Sequence, residues 1–227
     1  MTATTATERR GRLRGLYAIT PETDDLVRLL GLVRAALDGG ARLVQYRAKS
    51  LAARERLRQA QALLALCRGQ GIPFIVNDDL ELAFQLGADG VHLGRDDADP
   101  REARRRLPGA IVGVSCYDDP ARAVAAAQAG ADYAGIGSVF ASSTKPQAVR
   151  AGLAALSEAR RRAPIPIAAI GGITAANAAE AVAAGADMLA VISALFDAPD
   201  VAAAARAISR PFDTETDSHV RTQPATL

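Results

Sequence analysis

The sequence has no tryptophan and few other aromatics: five phenylalanines and four tyrosines in 227 residues. A core built on aromatic clusters is excluded. Ala, Val, Leu and Ile, the bulk of a 49% hydrophobic fraction, must fill it by packing helix on sheet. Only two cysteines occur, Cys67 and Cys116, and their separation fits neither a disulfide framework nor a zinc knuckle. That points to a reducing, cytoplasmic setting. Neither sign of charge prevails, since 27 Lys and Arg against 25 Asp and Glu leave a net charge of +2. The arginines are dispersed among acids without interleaved aromatics, so nucleic acid is not an expected partner. The densest basic run, Arg104-Arg105-Arg106, falls at an expected helix end, where cations oppose the negative end of the dipole and face solvent. No apolar run is long enough to span a membrane, and the first residues lack the apolar core of a signal peptide. The expectation is a soluble, unexported protein with no membrane partner.

What the sequence does contain is a repeat of short apolar runs, each followed by Gly, Asp or Ser and then by a longer Ala- and Leu-rich amphipathic segment. Eight strands are expected, at 16–20, 43–47, 74–77, 90–93, 111–115, 133–137, 167–170 and 188–192. The helices between and after them are expected at 24–37, 52–69, 80–86, 100–107, 120–129, 148–162, 175–184 and 201–209. The strand runs are continuously apolar rather than alternating, which implies parallel strands covered on both faces. Three helices end in one phrase, Gly-Ala-Asp, at 87–89, 130–132 and 185–187, with Gly where a helix end favours a left-handed residue. Right-handed crossovers and closure of the sheet give an α/β fold, a (β/α)8 TIM barrel, as a single domain over 14–210. Residues 1–13 and 211–227 lack apolar periodicity and are expected as flexible extensions.

In such a barrel the chemistry lies where the strands end at their carboxyl side. After the second strand, Gln45, Arg47 and Lys49 share a period of two and point inward if the pleat persists to the rim. Arg47 offers a planar fork and Lys49 a mobile point charge, a pair suited to a diphosphate, although an ion pair with carboxylates in the mouth is the plainer reading. Asp78 and Asp97 end neighbouring strands and could share Mg²⁺; Asp78 or Asp79, and Asp96 or Asp97, could instead cap the helices that follow. Gly171-Gly172 after the seventh strand admits close backbone approach and opens toward a helix start, a ready phosphate site or merely a tight turn. Ser193 can add a hydroxyl there. The loop Ser142-Ser143-Thr144-Lys145-Pro146 is long enough for a lid and equally readable as solvated. His92 reads as a hydrogen-bonded structural residue before it reads as a base, and Cys116 has no neighbouring base. Two anion sites, one with a metal and one without, imply two phosphorylated molecules, or one phosphorylated at both ends.

At these residues the chain resembles the thiamine-phosphate synthase family, from about Leu16 to Phe196. The motifs that carry the likeness are Leu-Tyr-Ala-Ile-Thr, Gln45-x-Arg47-x-Lys49, Val-Asn-Asp-Asp, Gly-Val-His-Leu-Gly-x-x-Asp, Gly-Val-Ser and Ile-Gly-Gly-Ile-Thr. The resemblance implies that Gln45, Arg47, Lys49, Asn77 and Lys145 bind a pyrimidine methyl diphosphate whose Mg²⁺ is held by Asp78 and Asp97. It places Ser115 beside the pyrimidine, and gives the thiazole phosphate to Ser142, Thr144, Gly171, Gly172, Ile192 and Ser193. Arg47, Lys49, Ser115 and Lys145 would carry the catalytic effect. The implied reaction is a dissociative substitution, needing no protein nucleophile. The chain departs from the family at Gly137 to Ser142, where two prolines common in the family are missing. Rival readings are a thiazole tautomerase-like relative, which relies on a histidine beyond the fifth strand where this chain has Cys116-Tyr117, a non-enzymatic phosphate-ligand sensor, and a barrel acting on sugar or indole phosphates. A homo-oligomer is left open.

Overall fold

A computed structural model describes residues 5–141 and 149–220. The chain begins with α1 (Ala6–Gly11), then alternates β1 (Gly15–Ile19), α2 (Leu26–Asp38), β2 (Leu43–Tyr46) and α3 (Ala53–Gly69). It continues with β3 (Phe74–Asn77), α4 (Leu80–Leu86), β4 (Gly90–Leu93), α5 (Pro100–Arg106), β5 (Ile111–Tyr117) and α6 (Pro120–Gln128). The last units are β6 (Tyr133–Gly137), α7 (Gly152–Arg162), β7 (Ile167–Ile170), α8 (Ala178–Ala183), β8 (Met188–Val191), α9 (Ser193–Phe196) and α10 (Val201–Val220). The strands form a closed barrel in sequence order, each pair parallel and β1 closing against β8. This is the (β/α)8 barrel read from the sequence.

Two hydrophobic layers follow from the pleat. Residues pointing outward from the strands, such as Leu16, Val44, Phe74 and Val91, pack beneath the helices in the larger cluster. Residues pointing inward, including Tyr17, Leu43, Ile75, Ile111, Tyr133 and Met188, fill the barrel. Small side chains let the helices sit close, as expected of a core so poor in aromatics.

The repeated Gly-Ala-Asp phrase has a physical job at the amino-terminal end of the barrel. Asp89 accepts the backbone N–H of Phe74 at 3.0 Å, Asp132 that of Val112 at 3.0 Å and Asp187 that of Ile167 at 2.8 Å. Each carboxylate thus satisfies a strand-entry donor on the neighbouring strand, which would otherwise be left at the barrel floor without a ladder partner.

Within both segments expected as extensions, the described residues include helix. Residues 6–11 form α1, started by a capping box in which Thr5 and Glu8 exchange hydrogen bonds, a signal present in the sequence as Thr-x-x-Glu. Arg9 is buried and its Nε lies 3.1 Å from Asp132, while Leu13 plugs the inner core. At the other end α10 runs through Pro211 to Val220. Phe212 is buried, with the Arg14 guanidinium 5.6 Å from its ring centroid. Arg104 also departs from the solvated reading: it folds back on Asp132 at 2.5 Å and donates to the carbonyls of Gly130 and Ala110. Arg106, from the same run, pairs with Glu81 at 2.6 Å. Among the described residues no helix is long and apolar enough to cross a membrane.

Candidate active site

The carboxyl ends of the strands open into a cavity of about 740 Å³. Gln45, Arg47, Lys49, Asn77, Asp78, Asp97, Ser115, Gly171, Gly172, Ile192 and Ser193 all line it. Ser142, Thr144 and Lys145 lie outside the described residues.

On the β2 side the strand ends at Tyr46, yet its alternation carries inward-facing groups up to the rim. Gln45 is buried, Arg47 half-buried and Lys49 exposed, a ladder from barrel floor to mouth. Thr20 fixes that ladder: its N–H donates to the Gln45 carbonyl at 2.9 Å, and its hydroxyl accepts the Arg47 N–H at 2.9 Å. Tyr46 faces the other way, donating to Gln59 Oε1 at 3.0 Å.

The capping alternatives for the aspartates resolve cleanly. Asp79 caps α4 by accepting from the Leu82 N–H at 2.9 Å, and Asp99 caps α5. Asp78 and Asp97 are thereby free of helix-capping duty and turn to the mouth. Asp78 adopts a positive φ of 64°, a conformation that costs a non-glycine residue about 1 kcal/mol. Lys49 lies 2.9 Å from Asp78, so the ion-pair reading holds for this lysine. With both side chains part-exposed the pair is weak, and exchange of Lys49 onto a phosphate oxygen is inexpensive.

Asp78 and Asp97 hydrogen-bond to each other. Burial opposes ionisation of Asp78, but Lys49 and the hydrogen bond from Asp97 outweigh it and hold the carboxyl below its usual range. Asp97 is pushed up by burial and by Asp78, against the Gly94 N–H that it accepts at 2.6 Å. Two adjacent carboxylates in a cation-lined mouth are suited to a hard divalent ion, which would relieve their mutual repulsion. Among the described residues no cluster of three or more His, Cys, Asp or Glu could hold a metal. An ion held there by two carboxylates would take its remaining oxygens from substrate and water, as Mg²⁺ commonly does.

Across the mouth, Gly171 and Gly172 have φ of 96° and 66°. A Cβ on Gly172 would lie 2.1 Å from the Ala141 carbonyl oxygen, and one on Gly171 would lie 2.2 Å from Ser138 Oγ. The loop is pinned by Asn177, whose Nδ2 donates to the Gly172 carbonyl at 2.9 Å while its Oδ1 accepts the Thr174 N–H at 2.8 Å. This turn delays α8 until Ala178, three residues after the helix start expected from the sequence. Ser193 opens the short α9 directly after Ile192, so the loops after β7 and β8 present backbone and hydroxyl groups to the same cavity.

Beneath the mouth runs a chain of hydrogen bonds that the sequence reading missed. Gln45 Nε2 donates to the Tyr17 hydroxyl at 2.7 Å, which contacts the Tyr133 hydroxyl at 2.7 Å. Tyr133 in turn meets His92 Nδ1 at 2.8 Å, and His92 Nε2 meets Ser115 Oγ at 2.8 Å. His92 is thus hydrogen-bonded at both ring nitrogens, in keeping with its structural reading, and burial pushes its pKa down to about 4. The pleat could have flagged Tyr17, which shares its face with Ile19. At the rim, Tyr117 ends a bulged β5 and is flanked by Arg95 and Arg122, 4.8 and 5.6 Å from its ring centroid. Nothing in the sequence pattern marked that stack.

A profile of the family described as thiamine monophosphate synthase matches residues 16–195. The chain is 56% identical over 203 residues to thiamine-phosphate synthase of Aromatoleum aromaticum, covering 89% of this chain and 98% of that protein. It is 57% identical over 204 residues to thiamine-phosphate synthase of Thiobacillus denitrificans, covering 89% and 97%. The solved structure of thiamine phosphate pyrophosphorylase from Pyrococcus furiosus superposes with a TM-score of 0.82 at 36% identity, over 90% of this chain and 98% of that one. With this barrel, this cavity and these relatives, the chain belongs to the thiamine monophosphate synthase family, transferases of thiamine biosynthesis.

Proposed function

We propose that the cavity joins 4-amino-2-methyl-5-pyrimidinylmethyl diphosphate to a 4-methyl-5-(2-phosphoethyl)thiazole, giving thiamine phosphate and diphosphate. The observation that carries this reading is the pairing, within one cavity, of a cation and carboxylate cluster at the ends of β2 to β4 with a glycine and hydroxyl cradle after β7 and β8. One end suits a metal-bound diphosphate and the other a phosphate monoester.

Arg47 and Lys49 grip the diphosphate, with Asn77 beside them and Lys145 from the segment outside the described residues, while Gln45, deeper in the barrel, meets the pyrimidine end of the same molecule. Asp78 and Asp97 would hold Mg²⁺, which when bound would supply positive charge against the departing diphosphate. The methylene carbon–oxygen bond breaks with its electron pair leaving on diphosphate, and the thiazole nitrogen lone pair forms the new carbon–nitrogen bond. No proton needs to be taken, so no protein base or nucleophile is required. Ser115 contacts the pyrimidine, while Gly171, Gly172, Ile192 and Ser193, with Ser142 and Thr144, seat the thiazole phosphate. Catalysis is then mainly electrostatic and positional. Free, buried Cys67 and Cys116 support a reducing cytoplasmic setting. The tautomerase-like alternative lacks its base, because Cys116 is buried and Tyr117 lies between arginines at the position after Ser115.

The test is product formation from both substrates, with and without Mg²⁺, in the parent and in Asp97→Ala. Thiamine phosphate and diphosphate appearing together, dependent on metal and lost in the variant, support the reading. Thiazole phosphate binding without any diphosphate release rejects it.

A further inference from the structure

The chain from Gln45 through Tyr17, Tyr133 and His92 to Ser115 crosses the whole barrel interior, and both of its ends line the cavity. Its tyrosines are enclosed, Tyr17 being 1% and Tyr133 0% exposed, whereas His92 is half-buried, and all three border the cavity floor. The fold makes room for it. A Cβ on Gly113 would lie 2.1 Å from Tyr133 Cζ, so only glycine there allows the phenol to lie across the barrel.

Proton bookkeeping fixes the direction of the chain. The Gln45 amide nitrogen can only donate, so the Tyr17 oxygen accepts from it. Tyr17 must then send its single proton to Tyr133, or that buried proton has no partner. Tyr133 consequently donates to His92 Nδ1, and a neutral His92 carries its proton on Nε2 and donates to Ser115. Ser115 keeps its own proton for the cavity, and Gln45 keeps its carbonyl oxygen for the cavity. Every arrow reverses together if the amide is turned over, so the two cavity ends never change polarity independently.

We infer that Tyr17, Tyr133 and His92 are positioning residues that lock Gln45 as a hydrogen-bond acceptor and Ser115 as a donor toward the bound heteroaromatic ring. This rests on the proposed pyrimidine site and deepens it: the matching ligand edge carries a donor toward Gln45 and an acceptor toward Ser115, as an aminopyrimidine offers. Burial, which keeps both phenols protonated, supports a fixed chain of single protons. The three residues transmit polarity without touching the reacting bond.

The test is nitrogen NMR of the full-length protein labelled with ¹⁵N-histidine, where only His92 and His219 contribute and His219→Asn assigns the pair. The parent is expected to show His92 protonated at Nε2 and bare at Nδ1. Tyr133→Phe is expected to lose that single tautomer and to raise KM for the pyrimidine diphosphate about tenfold, the worth of one hydrogen bond, with KM for the thiazole phosphate unchanged. Tyr17→Phe keeps the tautomer, because Tyr133 still donates to Nδ1, but frees the Gln45 amide and raises the same KM. A parent His92 protonated at Nδ1 overturns the inference, as does a Tyr133→Phe spectrum identical to the parent's. The parent's tautomer decides the matter even where a variant fails to fold. It is read without turnover, so its outcome is separate from that of the synthase reading.

Discussion

Gly172→Ala is a perturbation whose cost can be worked from the geometry. The residue sits at φ 66°, where a side chain costs about 1–2 kcal/mol. The new Cβ would also press on the Ala141 oxygen at 2.1 Å and on the Ala141 and Phe140 carbonyl carbons, each at 2.8 Å. These are backbone atoms, and the segment is tied down: the Phe140 N–H donates to the Gly171 carbonyl at 3.0 Å, and the Val139 N–H to the Ile170 carbonyl at 2.9 Å. Relief therefore breaks at least one hydrogen bond, worth about 1 kcal/mol. The sum is about 2–3 kcal/mol. With a urea dependence of about 2–3 kcal/mol/M, the unfolding midpoint should fall by about 1 M, and KM for the thiazole phosphate should rise as the cradle is pushed aside. Gly31→Ala is the control: Gly31 lies within α2 and an added Cβ meets nothing within 4 Å, so that change should stabilise by about 0.5–1 kcal/mol. A Gly172→Ala protein with parental urea midpoint and parental KM would refute the argument.

Asp132→Asn removes the carboxylate that Arg9 and Arg104 both grip at the far end of the barrel. Loss of a buried ion partner costs about 3 kcal/mol or more, so urea unfolding should shift strongly while both KM values stay put; a change in KM without loss of stability would contradict the assignment. Cys67 and Cys116 are fully buried, and burial pushes both thiols up to about 12. Neither should react with a disulfide reagent in the native state, and both should react in denaturant. Above pH 9 the unfolded chain loses thiol protons that the native chain keeps. Their contribution to stability is therefore complete below that pH and falls as pH rises toward 12, by about 1.4 kcal/mol per unit and thiol. Rapid native labelling would show that α3, which holds Cys67, or β5, which holds Cys116, opens more readily than its packing implies.

Most of the barrel was legible because its strands are buried on both faces and read as uninterrupted apolar runs. The β3, β4, β6 and β7 bounds match the expected ranges. Site residues placed by strand-end reasoning converge on one cavity for the same reason: the fold fixes where a residue following a strand must lie. What stayed hidden depended on partners distant in sequence. The α1 helix is anchored through Arg9 to Asp132, 123 positions away. Arg104 looked like a solvated cation until its carboxylate partner was seen. Tyr17 and Tyr133 read as core, which they are, but the contact between their hydroxyls joins residues 116 positions apart and has no local signature. Asp78 and Asp79 could be told apart only by the cap, which Asp79 takes.

The central claim is one cavity with two anion sites, only one of which needs a metal. Titration calorimetry with inorganic diphosphate and, separately, with the thiazole phosphate tests it most directly, in the presence and absence of Mg²⁺ and in parent and Asp97→Ala proteins. The account predicts that diphosphate binding collapses without Mg²⁺ or without Asp97, while thiazole phosphate binding is unchanged by either. Diphosphate binding that ignores the metal, or thiazole phosphate binding that depends on it, would contradict the account.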